Sequence, residues 1–250
     1  MGQHCVDCVA EGNKSLRSAR TIAGGTVRSG TPVVTYTLIA LNVLVYALTA
    51  VQSGNPMRNQ VSSLFTSWAL YPPAVADGDF LRVIGSGFLH FGPIHLALNM
   101  FALYVIGRDC ELIMGRSRYL AVYLVSILGG SAAVMVFQVD AVTAGASGAV
   151  FGLLGAQVAI LIRMKQSPSP VLVVIGINVV ISFSIPGISL WGHLGGLAAG
   201  TVATAGLLYT TGSEPRHGRT LGWVTIGVFA AIAVAVIVLR ALTLRAQLGL

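Results

Sequence analysis

Two segments, Thr143-Ala-Gly145-Ala146-Ser147-Gly148-Ala-Val-Phe151-Gly152 and Trp191-Gly192-His193-Leu-Gly195-Gly196, stand inside runs otherwise apolar enough to span a membrane. A lone serine in lipid satisfies its hydroxyl against its own helix, but a histidine at membrane depth is costly and is a functional hypothesis by default. Together they suggest a serine nucleophile and its general base. A third polar cluster, His90-Phe-Gly-Pro93-Ile-His95-Leu-Ala-Leu-Asn99, opens another apolar run. His95 and Asn99 lie one helical turn apart and share a face, which suits a pair of donors to an oxyanion and equally suits ordinary interhelical hydrogen bonding.

Gly145-x-Ser147-Gly148 is not the G-x-S-x-G nucleophile elbow, because position 149 is Ala and no strand signal precedes the serine. The glycines instead flank a helix start. Gly145 lets the loop turn, Gly148 leaves a bare surface beside the hydroxyl, and Gly152 and Gly155 continue a small-residue face. Gly196-x3-Gly200 supplies a matching face, so the two helices are expected to approach closely enough for His193 to reach Ser147.

The elements that must hold these residues follow from composition. Of 250 residues, 55% are hydrophobic and 9% charged, with mean hydropathy +0.81, far from the roughly quarter-charged soluble average. This is the signature of an all-α, polytopic integral membrane bundle. Seven candidate spans fall at residues 33–52, 93–107, 118–138, 146–164, 170–186, 190–211 and 221–243, the second and fifth being short and Pro186 closing the fifth.

Orientation follows from the positive-inside rule. With the N-terminus inside, the inner loops hold eleven basic residues: Lys14, Arg17, Arg20, Arg28, Arg108, Arg116, Arg118, Arg163, Lys165, Arg216 and Arg219. The outer side keeps four, Arg58, Arg82, Arg240 and Arg245, so the net charge of +7 reads as a topology signal and not as a nucleic-acid surface. The expected location is the plasma membrane, multi-pass, N-terminus cytoplasmic and C-terminus outside. On this arrangement spans two, four and six all enter from outside, and His95, Ser147 and His193 share one depth near the outer leaflet.

The first 30 residues are polar and glycine-rich and lack the apolar core of a cleavable signal peptide, so the first span is expected to direct insertion. His4-Cys5-x2-Cys8 has half the ligands of a structural zinc site, and no metal or cofactor is expected. Cys110 is expected in a cytoplasmic loop, without a disulfide. The external loop from Ser53 to Phe91 carries Trp68, Tyr71 and several aliphatic residues, which suggests an amphipathic segment in the outer leaflet.

These residues resemble the rhomboid family of intramembrane serine proteases, in its actinobacterial, six-plus-one-span form. The resemblance is carried by Gly145-Ala-Ser147-Gly148, by His193 with Gly196 and Gly200, by His90, His95 and Asn99, by Gly107-x3-Glu111-x3-Gly115-Arg116-x-Arg118-Tyr119, and by Arg82. It covers about residues 31–211 and implies three parts: a cytoplasmic tail over 1–30, a six-helix protease core over 31–211, and a linker with a seventh span over 212–250. It implies Ser147 as nucleophile, His193 as base and acid in a dyad without an acidic third member, and His95 with Asn99 as oxyanion side chains. His90, Gly145 and Phe151 are implied at the substrate-binding side, the Phe151 ring packing on the catalytic imidazole. The family usually has a tryptophan before its loop arginine, where Phe80-Leu81-Arg82 stands here.

The implied reaction is hydrolysis of single-span membrane proteins near the outer leaflet, where water reaches the site. A substrate helix satisfies its own backbone and must unwind locally to offer a carbonyl, so Gly or Ala near the outer end of the span is expected. Two other readings stay open from the residues: an inactive relative that binds membrane clients without cutting them, and a transporter. Against the last, the spans show no inverted repeat and almost no acidic residues.

Overall fold

The computed structural model describes residues 30–185, 187–210 and 217–249. The His4, Cys5 and Cys8 cluster and Pro186 lie outside the described residues. Among the described residues each of the seven candidate stretches contains a helix: α1 (Val33–Ser53), α2 (Gly92–Ala102), α3 (Arg116–Phe137), α4 (Ser147–Arg163), α5 (Ser169–Ser184), α6 (Leu190–Thr210) and α7 (His217–Leu248). Among the described residues extended pairing is limited to one bridge, Leu70 with Thr143, and the fold is an all-α membrane bundle. By length and apolarity α1, α3 and Thr220–Leu248 of α7 are each sufficient to cross a bilayer.

The centre is α3, α4 and α6, and glycine decides how near they come. A Cβ at Gly196 would overlap the carbonyl of Gly148, and one at Gly200 would overlap the backbone of Gly152. The expected small-residue contact between α4 and α6 is therefore made backbone to backbone, where dispersion and close approach replace the hydrophobic drive that lipid removes. Helix α3 joins through Gly129 and Gly130, which face Ala199, Gly195 and the Gly192 carbonyl. Around this seam Tyr119, Tyr123, Leu153, Ile160, Leu207 and Leu208 are fully buried.

The second span is longer than expected. Past Ala102 the helix widens into a π-helical stretch, Leu103–Gly107, and resumes as Arg108–Met114. Cys110 is accordingly not in a loop; it is buried in this helix, its thiol pointing at the Leu153 carbonyl 3.7 Å away. The extension also delivers Glu111 to the start of α1. Its carboxylate accepts from Val34 N (3.0 Å), Thr35 N (2.7 Å) and Thr35 Oγ1 (2.8 Å), satisfying amide groups that the first turn leaves open.

The external loop is packed on the bundle through part of its apolar residues and leaves Met57, Val61, Leu81 and Ile84 exposed. It folds into a 3-10 turn (Pro56–Val61) and short helices (Ser63–Trp68, Pro72–Ala76, Arg82–Gly85) whose Phe65, Ala69, Leu70 and Val75 are buried. Two polar residues fix it. Arg82 donates to the carbonyls of Thr66 (2.7 Å) and Ala69 (2.9 Å) and pairs with Asp79 at 3.2 Å. Buried Asn59 donates to Thr49 Oγ1 and the His90 carbonyl and accepts from Gly92 N, locking the loop to the start of α2. There the chain turns sharply: Arg82–Phe88 and Gly92–Met114 meet at 89°.

Candidate active site

Ser147 is the first residue of α4, and the strand-like approach to it is held on both sides. Leu70 and Thr143 exchange two 2.9 Å backbone hydrogen bonds, and Gly145 N donates to the Ser86 carbonyl at 2.9 Å. Gly145 has φ +140°, a conformation open to glycine and strained for other residues. It also makes room: a Cβ there would stand 2.9 Å from Cε1 and 3.1 Å from Nε2 of His95, and 3.4 Å from Ser147 Oγ. The imidazole edge of His95 and the serine hydroxyl thus both border the space that the missing Gly145 side chain leaves.

His193 sits one turn into α6. Ser189 starts that helix by accepting from Gly192 N at 3.0 Å while donating to Gln138 Oε1 at 2.6 Å, which joins the His193 helix to the end of α3. With the backbones of α4 and α6 in contact, His193 Nε2 comes 2.7 Å from Ser147 Oγ. The Phe151 ring, one turn below the serine, stacks on the imidazole with centroids 4.1 Å apart and planes 10° from parallel. The ring is held face-on, and its free rotation is blocked.

The second helix contributes from the opposite side. His95 Nδ1 accepts the Phe91 amide at 3.2 Å, which leaves Nε2 to carry the proton on the edge nearest Gly145 and Ser147. The Asn99 side-chain amide donates to the His95 carbonyl at 3.0 Å, bracing the turn that carries the imidazole. His90 is fully buried behind this pair, its ring edge-on to that of His95 at 5.2 Å. Of the seven residues singled out in the sequence, Ser147, His193, Phe151, Gly145 and His95 converge directly, while Asn99 and His90 stand behind His95.

Beside Ser147 a cavity of about 50 Å³ opens, walled by small residues that include Ser86, Gly87, Gly130, Ser131 and Gly148. It has room for water among hydroxyls able to hold it. An unforeseen neighbour completes the surroundings: Ser182 of α5 places Oγ 2.7 Å from His193 Nδ1. The signal that finds it is the pair Asn178-x3-Ser182, the polar residues of an otherwise aliphatic and aromatic run from Val171 to Phe183. Among the described residues no group of three or more metal-ligating side chains gathers.

With this geometry in hand, comparisons with known proteins agree on one family. Residues 77–210, more than half of the chain, match the family described as the Rhomboid domain. Rhomboid protease GluP of Bacillus subtilis (strain 168) is 34% identical over 185 residues, 72% of this chain and 36% of GluP. RHOMBOID-like protein 4 of Arabidopsis thaliana is 33% identical over 154 residues, 58% of this chain and 39% of that protein. Rhomboid protease AarA of Providencia stuartii is 32% identical over 161 residues, 57% of each chain. The matched region spans between 36% and 57% of the length of these relatives.

Proposed function

Because this multi-pass membrane chain belongs to the rhomboid family, we propose that it is a serine endopeptidase that cuts other membrane proteins within or beside their spans. The observation that carries the reading is the 2.7 Å approach of His193 Nε2 to Ser147 Oγ between helices whose glycines bring their backbones into contact. In the proposed reaction Ser147 Oγ attacks the scissile carbonyl carbon as His193 Nε2 takes its proton. The His95 Nε2–H, held toward the serine by the Phe91 amide behind it, and the amides at the start of α4 receive the negative charge on the carbonyl oxygen. Asn99, one turn along the same helix, is the second oxyanion side chain of the proposal, His90 packs against His95, and His193 then hands its proton to the leaving amine. Water hydrolyses the acyl-enzyme.

Substrate preference follows from the site's dimensions. A cavity of about 50 Å³ walled by Gly87, Gly130 and Gly148 favours a small side chain next to the cut. The substrate span has to leave its helix to reach Ser147, so single-span proteins with Gly or Ala near the outer end are the proposed class. The proposed core is 31–211, with the segment from 212 accessory, the N-terminus inside and the C-terminus outside.

The test is cleavage of a generic single-span substrate by purified protein in detergent, with a fluorophosphonate probe added in a parallel sample. A cut product and probe labelling, both lost in Ser147→Ala, support the proposal. Stable substrate binding with neither would instead mark a client-binding relative.

A further inference from the structure

Helix α5 is exposed or half-buried along its length, and Ser182 is the one residue on it that is buried. Its hydroxyl makes two short contacts, 2.6 Å to the Asn178 carbonyl oxygen one turn back and 2.7 Å to His193 Nδ1. A serine hydroxyl has a single proton, and a carbonyl oxygen can only accept. The proton therefore lies between Ser182 Oγ and Asn178 O, and Ser182 Oγ takes the Nδ1 proton of His193. With Nδ1 protonated, the bare nitrogen is Nε2, the one 2.7 Å from Ser147 Oγ.

We propose that Ser182 is a positioning residue of the reaction: through Nδ1 it fixes the His193 tautomer and ring orientation in which Nε2 accepts the Ser147 proton. It occupies the place where soluble serine hydrolases set an acidic side chain, and a neutral hydroxyl performs the orienting part of that role without placing a buried charge in the bundle. Phe151 and Ser182 divide the work. The aromatic ring sets the plane of the imidazole, and the hydroxyl sets its rotation within that plane. When His193 becomes cationic after taking the serine proton, Nδ1–H keeps its acceptor, so the same contact strengthens as the charge develops.

The proposal rests on Ser147 and His193 being nucleophile and base, and the experiment separates the two. Full-length wild type, Ser182→Ala, Ser182→Thr, Ser182→Val and Ser147→Ala are assayed for kcat and KM on a single-span substrate and for the rate of fluorophosphonate labelling. Thr and Val share a shape and differ in the hydroxyl, so their comparison holds even if Ser182→Ala is too unstable to purify. The expected result is that Ala and Val lower kcat and slow labelling by roughly 10-fold or more, with KM within about twofold of wild type, whereas Thr stays within about threefold in both. Ala or Val at wild-type kcat, or Thr as slow as Val, overturns the positioning role while an inactive Ser147→Ala leaves the dyad standing. Cleavage by Ser147→Ala overturns both.

Discussion

Three residues around the serine carry separable costs. In the proposed dyad Ser147 and His193 act as a unit, so Ser147→Ala and His193→Ala should each abolish cleavage, and the double variant should be no slower than either single one. Independent multiplicative losses in steady-state rates would sink the pairing. In the proposed reaction His95 acts on charge that appears only as the serine attacks. His95→Ala should therefore lower kcat by roughly 10²–10³ with KM little changed, the loss seen when one oxyanion donor is removed from a soluble serine protease. Gly145→Ala tests the gap between them. At φ +140° the new Cβ is strained and meets the His95 ring, so turnover should fall by at least ~10-fold in protein that still unfolds cooperatively near the wild-type temperature.

The elements matter through how closely they pack, and two glycines give opposite expectations. A Cβ at Gly196 overlaps the Gly148 carbonyl, which is backbone and cannot swing away, so α6 must move off α4 and carry His193 from Ser147. Gly196→Ala should lower both thermal stability in detergent and cleavage. Gly176 on α5 has nothing within 4 Å of the corresponding position, so Gly176→Ala should leave both unchanged or raise stability slightly, since Ala is the better helix former. Equal losses at the two positions would show that helix propensity and not interhelical distance governs the fold. The buried Glu111 carboxylate is the other joint between elements. Its three contacts to Val34 and Thr35 tie the end of the second span to the start of the first, and a carboxylate near an N-terminus is favoured there.

Across the whole molecule the asymmetry of charge is the basis for the proposed orientation of the bundle. Eleven basic residues in the inner set against four in the outer imply that a reporter fused after Leu250 lies outside and one near Arg163 inside. Accessibility labelling in intact cells that put both reporters on one side would remove the shared depth of His95, Ser147 and His193. The apolar surfaces of α1, α5 and α7, with Leu44, Val51, Phe183 and Leu239 well exposed, are what a lipid-facing perimeter requires, while Thr35, Asn42, Thr49 and Ser182 are buried.

The sequence alone determined where the helices lie, because long apolar stretches with few charges have one stable use, and it singled out Ser147, His193 and His95 as candidates, because imidazole within an apolar span is costly. Gly148 and Gly152 against Gly196 and Gly200 were likewise legible, since small residues spaced by four form a stripe whatever the partner. What only the tertiary structure decided are pairings between segments far apart in the chain. Ser182 with His193, Glu111 with Thr35, Asn59 with His90 and Arg82 with the Thr66 and Ala69 carbonyls are each a single polar contact whose partner no local period announces. How the loop from Ser53 to Phe91 folds was not legible for the same reason: its aromatic and aliphatic residues carry the same composition whether they are exposed, as Met57, Val61, Leu81 and Ile84 are, or packed on the bundle, as Phe65, Leu70 and Val75 are. The extension of the second span to Met114, which took Cys110 out of the expected loop, was masked by charges at Arg108, Asp109 and Glu111, and Glu111 is buried because the start of α1 supplies its hydrogen-bond donors.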